Sequence, residues 1–223
     1  MKNIQVLKPK YRVEECLSEI KECLDIGWTG MGYKTIEFED RWKTYTSLNH
    51  AHFLSSATVG LHLAVKILKE KYNWHDGDEV ITTPFTFVST NHSILYENLK
   101  PRFADIDDSL NLDPQSVKDK INKNTKAIIF VGIGGNTKNL IEIIKIAKNN
   151  NIKVILDAAH MSGSKINGQH VGFDVDVSVF SFQAVKNLPT ADGGMICFNN
   201  AEDDKKAREL AWLGINKDTF SRS

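Results

Sequence analysis

The sequence carries no surplus of charge: across 223 residues, 28 Lys and Arg balance 28 Asp and Glu. A chain without a net field does not gather nucleic acid or an anionic membrane, and neither is expected as a partner. No apolar run approaches the length that spans a bilayer, and the opening Met1-Lys2-Asn3-Ile4-Gln5 has no signal-peptide core. Cysteine is scarce. Cys16, Cys23 and Cys197 are odd in number and unpatterned, so neither a disulfide framework nor a zinc site is implied, and no metal is expected. Internal repeats, low-complexity tracts and linkers are also missing. The expected location is cytoplasmic.

What is present is a composition with a real core, 41 % hydrophobic and 25 % charged, in a length that suits one sizeable α/β domain or one and a half ordinary ones. Short β-rich runs alternate with amphipathic helices, the signature of a mainly parallel sheet covered by helices. Residues 51–55 read as a strand. Leu61, Ala64, Val65 and Leu68 then fall on one helical face. Residues 79–82 form a strand closed by Pro84, residues 86–97 a helix, and residues 101–106 another strand. Asp113-Pro114 is a helix start, an N-cap followed by a first-turn proline. Residues 126–131 and 152–156 are continuous apolar runs, as expected of central strands buried on both faces. Between them Leu140, Ile143, Ile144 and Ala147 make a second helical stripe. Val175, Val177 and Val179 alternate with Asp176 and Ser178 before Phe180-Ser181-Phe182. Residues 194–198 close the set of strands, and residues 201–213 read as a last helix.

In an open α/β sheet, ligands bind beyond the carboxyl ends of the strands. Four clusters fall at such ends. Ser55-Ser56-Ala57-Thr58 offers free N–H groups at a helix start, a ready anion site, or a plain N-cap. Asp157-Ala158-Ala159-His160 follows a central strand; a carboxylate leaving it is partly desolvated and wants a cation or strong donors, unless it only caps a helix. A lone histidine such as His160 is more often structural than catalytic. Lys186, in Ser181-Phe182-Gln183-Ala184-Val185-Lys186-Asn187, sits in a stretch with almost no other charge. A desolvated lysine becomes a nucleophile for a carbonyl, whereas the default for a single lysine is the surface. The aromatic of Pro84-Phe85-Thr86-Phe87 either stacks on a ring or belongs to the core. Together the four clusters describe an anion cradle, an aromatic face, a buried carboxylate and a nucleophilic lysine. That set matches pyridoxal 5′-phosphate (PLP).

The same residues resemble the DegT/DnrJ/EryC1/StrS family of PLP-dependent sugar aminotransferases, of the fold type I, aspartate-aminotransferase class. The resemblance rests on Ser55-Ser56-Ala57-Thr58 with Leu61-His62-Leu63-Ala64, Gly77-Asp78-Glu79-Val80-Ile81-Thr82, and Phe85-Thr86-Phe87-Val88. It continues through Asp157-Ala158-Ala159-His160, Ser181 to Leu188, and Gly193-Gly194, with Gly27-Trp28-Thr29-Gly30 and Glu37-Phe38-Glu39 fitting the opening. It implies a three-layer α/β/α large domain with a mainly parallel mixed sheet. Residues 1–35 would be an N-terminal segment bordering the active site, 36–213 the PLP-binding large domain, and 214–223 the start of a C-terminal domain that the chain lacks. By the same resemblance Lys186 would form the internal aldimine and shuttle protons, and Asp157 would pair with the pyridine nitrogen. Phe87 would stack on the ring, while Thr58, the backbone of Ala57, and Ser181 would hold the phosphate. His160 would sit near the phenolic oxygen; Thr29 and Gly30 would border the substrate. Relatives that remove a sugar hydroxyl carry histidine in place of the lysine, so Lys186 favours transamination.

The implied reaction moves an amino group, with glutamate as donor, to a nucleotide-activated keto-sugar for amino-sugar and polysaccharide synthesis. The implied assembly is a homodimer with shared active sites. The segment Gly132-Ile133-Gly134-Gly135-Asn136 departs from the family, which carries a histidine and an aromatic before the glycine. The short length raises a second reading, a catalytically incompetent PLP-binding or dimerisation remnant. A third, a nicotinamide-dependent sugar reductase, is prompted by Gly132-x-Gly134-Gly135, but that spacing is not G-x-G-x-x-G and no ribose-binding acid follows at the usual distance.

Overall fold

The computed structural model describes residues 9–216. The chain opens with two helices, α1 (Val13–Ile26) and α2 (Tyr33–Thr46), and then alternates: β1 (His50–Leu54), α3 (Ala57–Lys71), β2 (Glu79–Thr82), α4 (Val88–Tyr96), β3 (Lys100–Phe103) and α5 (Pro114–Lys120). Next come β4 (Thr125–Val131), α6 (Leu140–Asn149), β5 (Lys153–Asp157) and a small hairpin, β6 (Lys165–Ile166) with β7 (Gln169–His170). The described chain finishes with β8 (Val177–Ser181), β9 (Gly194–Phe198) and α7 (Ala201–Ala211).

Seven strands form one sheet in the order β1-β9-β8-β5-β4-β2-β3. From β3 to β8 all neighbours are parallel, and β9 runs antiparallel to both β8 and β1. The expected mainly parallel mixed sheet is therefore present. Alternate residues of each strand serve opposite faces. Ile128 and Phe130 join α2 and α6 through Trp42, Leu140, Ile143, Ile144 and Ala147. Ala127 and Ile129 instead join α3 and α4 through Leu61, Ala64, Val65, Leu68 and Ile94. Two cores on two faces make the three layers. The helical stripes read from the sequence are the buried ones, each large side chain contributing about 1.5–3 kcal/mol of transfer free energy.

The departures have local causes. The helix expected from residue 86 begins at Val88, because Phe87 is extended (φ −67°, ψ 141°) and occupies the N-cap. The strand expected through residue 106 leaves the sheet at Phe103, and Ile106 bridges Leu112 instead. Proline at Pro101 is tolerated because β3 is an edge strand. The last helix stops at Ala211, and Leu213 takes a positive φ of 60°. Helix α2 starts at Tyr33, across the 35/36 boundary expected from the sequence. Of the segment 214–223, residues 217–223 lie outside the described residues.

Candidate active site

The strands that share one direction deliver four segments to one edge of the sheet. At the end of β1 the chain turns through Ser55 and Ser56 into α3. The Ser56 hydroxyl accepts from the Val59 N–H (3.3 Å), so the cap is real, and the next free N–H groups belong to Ala57 and Thr58. The turn is held from below by Gly194, directly opposite Leu54 in the ladder. A Cβ there would lie 2.5 Å from the Ser56 carbonyl carbon and 2.6 Å from the Ala57 nitrogen, so only glycine lets β9 approach.

Asp157 ends β5, between β4 and β8 in the middle of the sheet, and is 4 % exposed. Its Oδ2 accepts from Thr90 Oγ1 (2.7 Å) and its Oδ1 from the Ala159 N–H (3.2 Å). Thr86 and Thr90 hydroxyls are 2.8 Å apart. An ionised Asp157 can only accept, so the Thr90 proton points to it and Thr86 donates to Thr90. Burial pushes the carboxyl above its ordinary range, against the pull of Thr90, the Ala159 N–H, His160 and Lys186.

Lys186 hangs on a loop between β8 and β9 whose neck is pinned by Thr190 N–H to Phe182 O (2.8 Å) and Phe182 N–H to Gly193 O (2.9 Å). It is half-buried, and burial lowers its ammonium pKa while Asp157 opposes the shift. It is therefore not the surface lysine of the default reading. Phe87 is 74 % exposed, which removes it from the core. His160 is exposed, and its Nδ1 accepts from the Gly134 N–H (3.3 Å). Ser181, buried at the end of β8, accepts from the Gln183 N–H (3.4 Å).

Ala57, Thr58, Phe87, Asp157, His160, Ser181 and Lys186 all line one cavity of about 390 Å³. Thr29 and Gly30 do not. They are exposed in the turn between α1 and α2, and the following Met31 and Gly32 border a different cavity, of about 430 Å³, against α7. Sequence reasoning missed Ser89, Gln183 and Asp192 in the cavity wall, and Thr90 behind Asp157. The i, i+4 spacing of Thr86 and Thr90 was the available signal for the last. The glycines after β4 form only a three-residue 3-10 turn, Ile133–Gly135, and open no α-helix; α6 begins at Leu140, and the Gly134 N–H is already taken by His160, which leaves no dinucleotide turn.

The residues fit PLP on their own chemistry. The buried Asp157 carboxylate has only neutral hydrogen-bond donors, so a cationic N–H is the partner its environment lacks. Opposite charge requirements are met by the helix start at Ala57 and Thr58, an exposed ring face by Phe87, and an amine of lowered pKa by Lys186.

The sequence profile of the DegT/DnrJ/EryC1/StrS aminotransferase family matches residues 10–223. An uncharacterised protein of Methanocaldococcus jannaschii is 39 % identical over 210 residues, covering 94 % of this chain and 53 % of the relative. The spore coat polysaccharide biosynthesis protein SpsC of Bacillus subtilis is 35 % identical with the same coverage. The chain thus spans about half the length of the curated relatives it matches. Among solved structures, the aminotransferase TlmJ of Streptoalloteichus hindustanus superposes with a TM-score of 0.91 at 30 % identity, over 99 % of this chain and 60 % of that one. The PLP form of Spr1654 of Streptococcus pneumoniae, provisionally described as a sugar aminotransferase, gives 0.89 at 28 % identity, over 96 % and 59 %.

Proposed function

The chain belongs to the DegT/DnrJ/EryC1/StrS aminotransferase family, and on that footing we propose that it is the large domain of a PLP-dependent aminotransferase acting on a nucleotide-activated keto-sugar, with glutamate as amino donor. The observation that carries this is the placement of Lys186 and Asp157 in one cavity, a lysine whose pKa burial lowers and a buried carboxylate whose hydrogen-bond donors are all neutral.

Each residue then has a task. The N–H groups of Ala57 and Thr58, with the hydroxyls of Thr58 and Ser181, bind the phosphate at the positive end of α3. Phe87 covers a ring face. Asp157, aimed by Thr90, holds a proton on the pyridine nitrogen, since an anion within reach favours the charged form of that group. The bound cofactor supplies the electron sink that stabilises a carbanion next to the transferred nitrogen. Lys186 Nζ, depressed in pKa, takes and returns the proton at that carbon. Retention of lysine at this position favours amino transfer over loss of a sugar hydroxyl.

Phe87 and Val185 in the cavity wall are exposed, as are Phe85, Val88 and Leu188 beside them in sequence, and these apolar residues support a homodimer whose partner covers them. The described residues include no helix long and apolar enough to cross a membrane. Borohydride reduction in the presence of PLP, followed by peptide mapping, tests the site. A pyridoxyl label confined to Lys186 and lost in a folded Lys186→Ala variant is expected; label scattered over surface lysines would refute the assignment.

A further inference from the structure

The glycine turn after β4 packs closely on the segment that carries His160, against the Met161 side chain at Gly132 and the His160 backbone at Gly135. A Cβ on Gly132 would lie 2.1 Å from Met161 Sδ, and one on Gly135 3.1 Å from the His160 carbonyl oxygen. The Ser164 hydroxyl closes the contact by donating to the Gly135 carbonyl (2.9 Å). Gly134 differs from its neighbours. A Cβ there would meet nothing within 4 Å, so its own glycine requirement is only the positive φ of 60°. That φ is the backbone geometry in which its N–H reaches His160 Nδ1.

A ring nitrogen that accepts an N–H bond carries no proton. The bond therefore excludes the Nδ1–H tautomer and excludes the imidazolium, in which both nitrogens are donors. We infer that Gly134 is a positioning residue that locks His160 as the neutral Nε2–H tautomer, leaving a hydrogen-bond donor for an acceptor atom bound in the cavity. The environment points the same way. Burial and the Lys186 ammonium both disfavour the imidazolium, and only Asp157 favours it. The tautomer is a property of the cofactor-free chain; its role as a donor to an oxygen of the bound group rests on the aminotransferase reading.

The test is nitrogen NMR of the cofactor-free chain labelled at histidine and glycine, with the His160 signals assigned by their loss in His160→Gln. Near neutral pH, one Nδ1 signal in the unprotonated range and one Nε2 signal in the protonated range are expected. A scalar coupling from the Gly134 amide nitrogen to Nδ1 is also expected. Gly134→Ala retains the N–H and should retain the single tautomer; Gly134→Pro, whose φ is fixed near about −65°, removes both the N–H and the turn and should give averaged shifts, so the wild-type signals decide. A wild-type His160 that is protonated at Nδ1, or an even mixture of tautomers, overturns the inference without any variant. Borohydride trapping on the same preparation separates the two claims. Labelled Lys186 with an Nδ1–H histidine sinks the inference alone, whereas an Nε2–H histidine without label sinks the cofactor reading alone.

Discussion

Thr90 Oγ1 lies 2.7 Å from Asp157 Oδ2, a helix hydroxyl donating to a carboxylate 67 residues away at the end of the central strand. Because Thr86 donates in turn to Thr90, the carboxylate is aimed by a chain of two hydroxyls that reaches out to the cavity wall. Hydrogen bonds to a charged group contribute about 1.5–3 kcal/mol, and loss of this one frees the carboxylate to rotate. Thr90→Val should fold and weaken PLP binding about tenfold or more, the equivalent of at least about 1.4 kcal/mol, while Thr90→Ser restores most of it. Equilibrium titration by cofactor absorbance checks both variants.

Gly194→Ala acts on the other end of the site. Its Cβ would press on backbone atoms of Ser56 and Ala57, which cannot swing aside as a flexible side chain would. Overpacking of this kind costs about 1–3 kcal/mol, and here the strain moves the Ser56–Thr58 turn proposed to hold the phosphate. Binding of PLP should fall more than binding of pyridoxal, which has no phosphate; equal losses would place the damage elsewhere.

For Asp157 the sign of the pH effect is fixed by burial. The folded carboxyl binds its proton more tightly than the ordinary value of 3.8, so stability falls as pH rises above 3.8 towards the raised value. Asp157→Asn removes that penalty. It should raise the melting temperature of the cofactor-free chain by a few degrees at neutral pH, with the gain vanishing below the ordinary carboxylate pKa. The same variant loses cofactor binding, a trade of function against stability. Thermal melts at acidic and neutral pH measure it.

The three thiols should separate cleanly. Cys197 is buried in β9, and burial pushes its pKa up to about 12, so almost no thiolate is present at neutral pH. Cys16 is exposed and Cys23 half-buried. A thiol reagent should label those two in the native chain and reach Cys197 only after denaturation, which a time course with mass spectrometry resolves.

The residues that line the cavity were legible because each sits at the break between two strong patterns. Ile152 to Leu156 can only be a buried strand, so Asp157 is stranded at its end, and the same logic picks out Ser181 and Lys186 after Val177 and Val179. Thr90 was not legible, since a threonine inside a helix has no pattern until the fold sets it against a carboxylate. Helix α1 was missed for the opposite reason: none of its residues is buried, so its apolar positions point to no core of this chain. Thr29 and Gly30 fit a family motif, but the exposed turn that carries them does not reach the cavity.

Strand order also sets an order in time. Strand β1 has one neighbour in the sheet, and that neighbour is β9, some 140 residues further along the chain. A ribosome that has delivered Asp157 has delivered the carboxylate without its cradle; β1 and the Ser56–Thr58 turn lack a partner to hold them in register until residues 194–198 emerge. The Ser56–Thr58 turn is thus fixed last, although its residues are among the first translated, and under the proposed function a phosphate bound there would report that the whole sheet has closed.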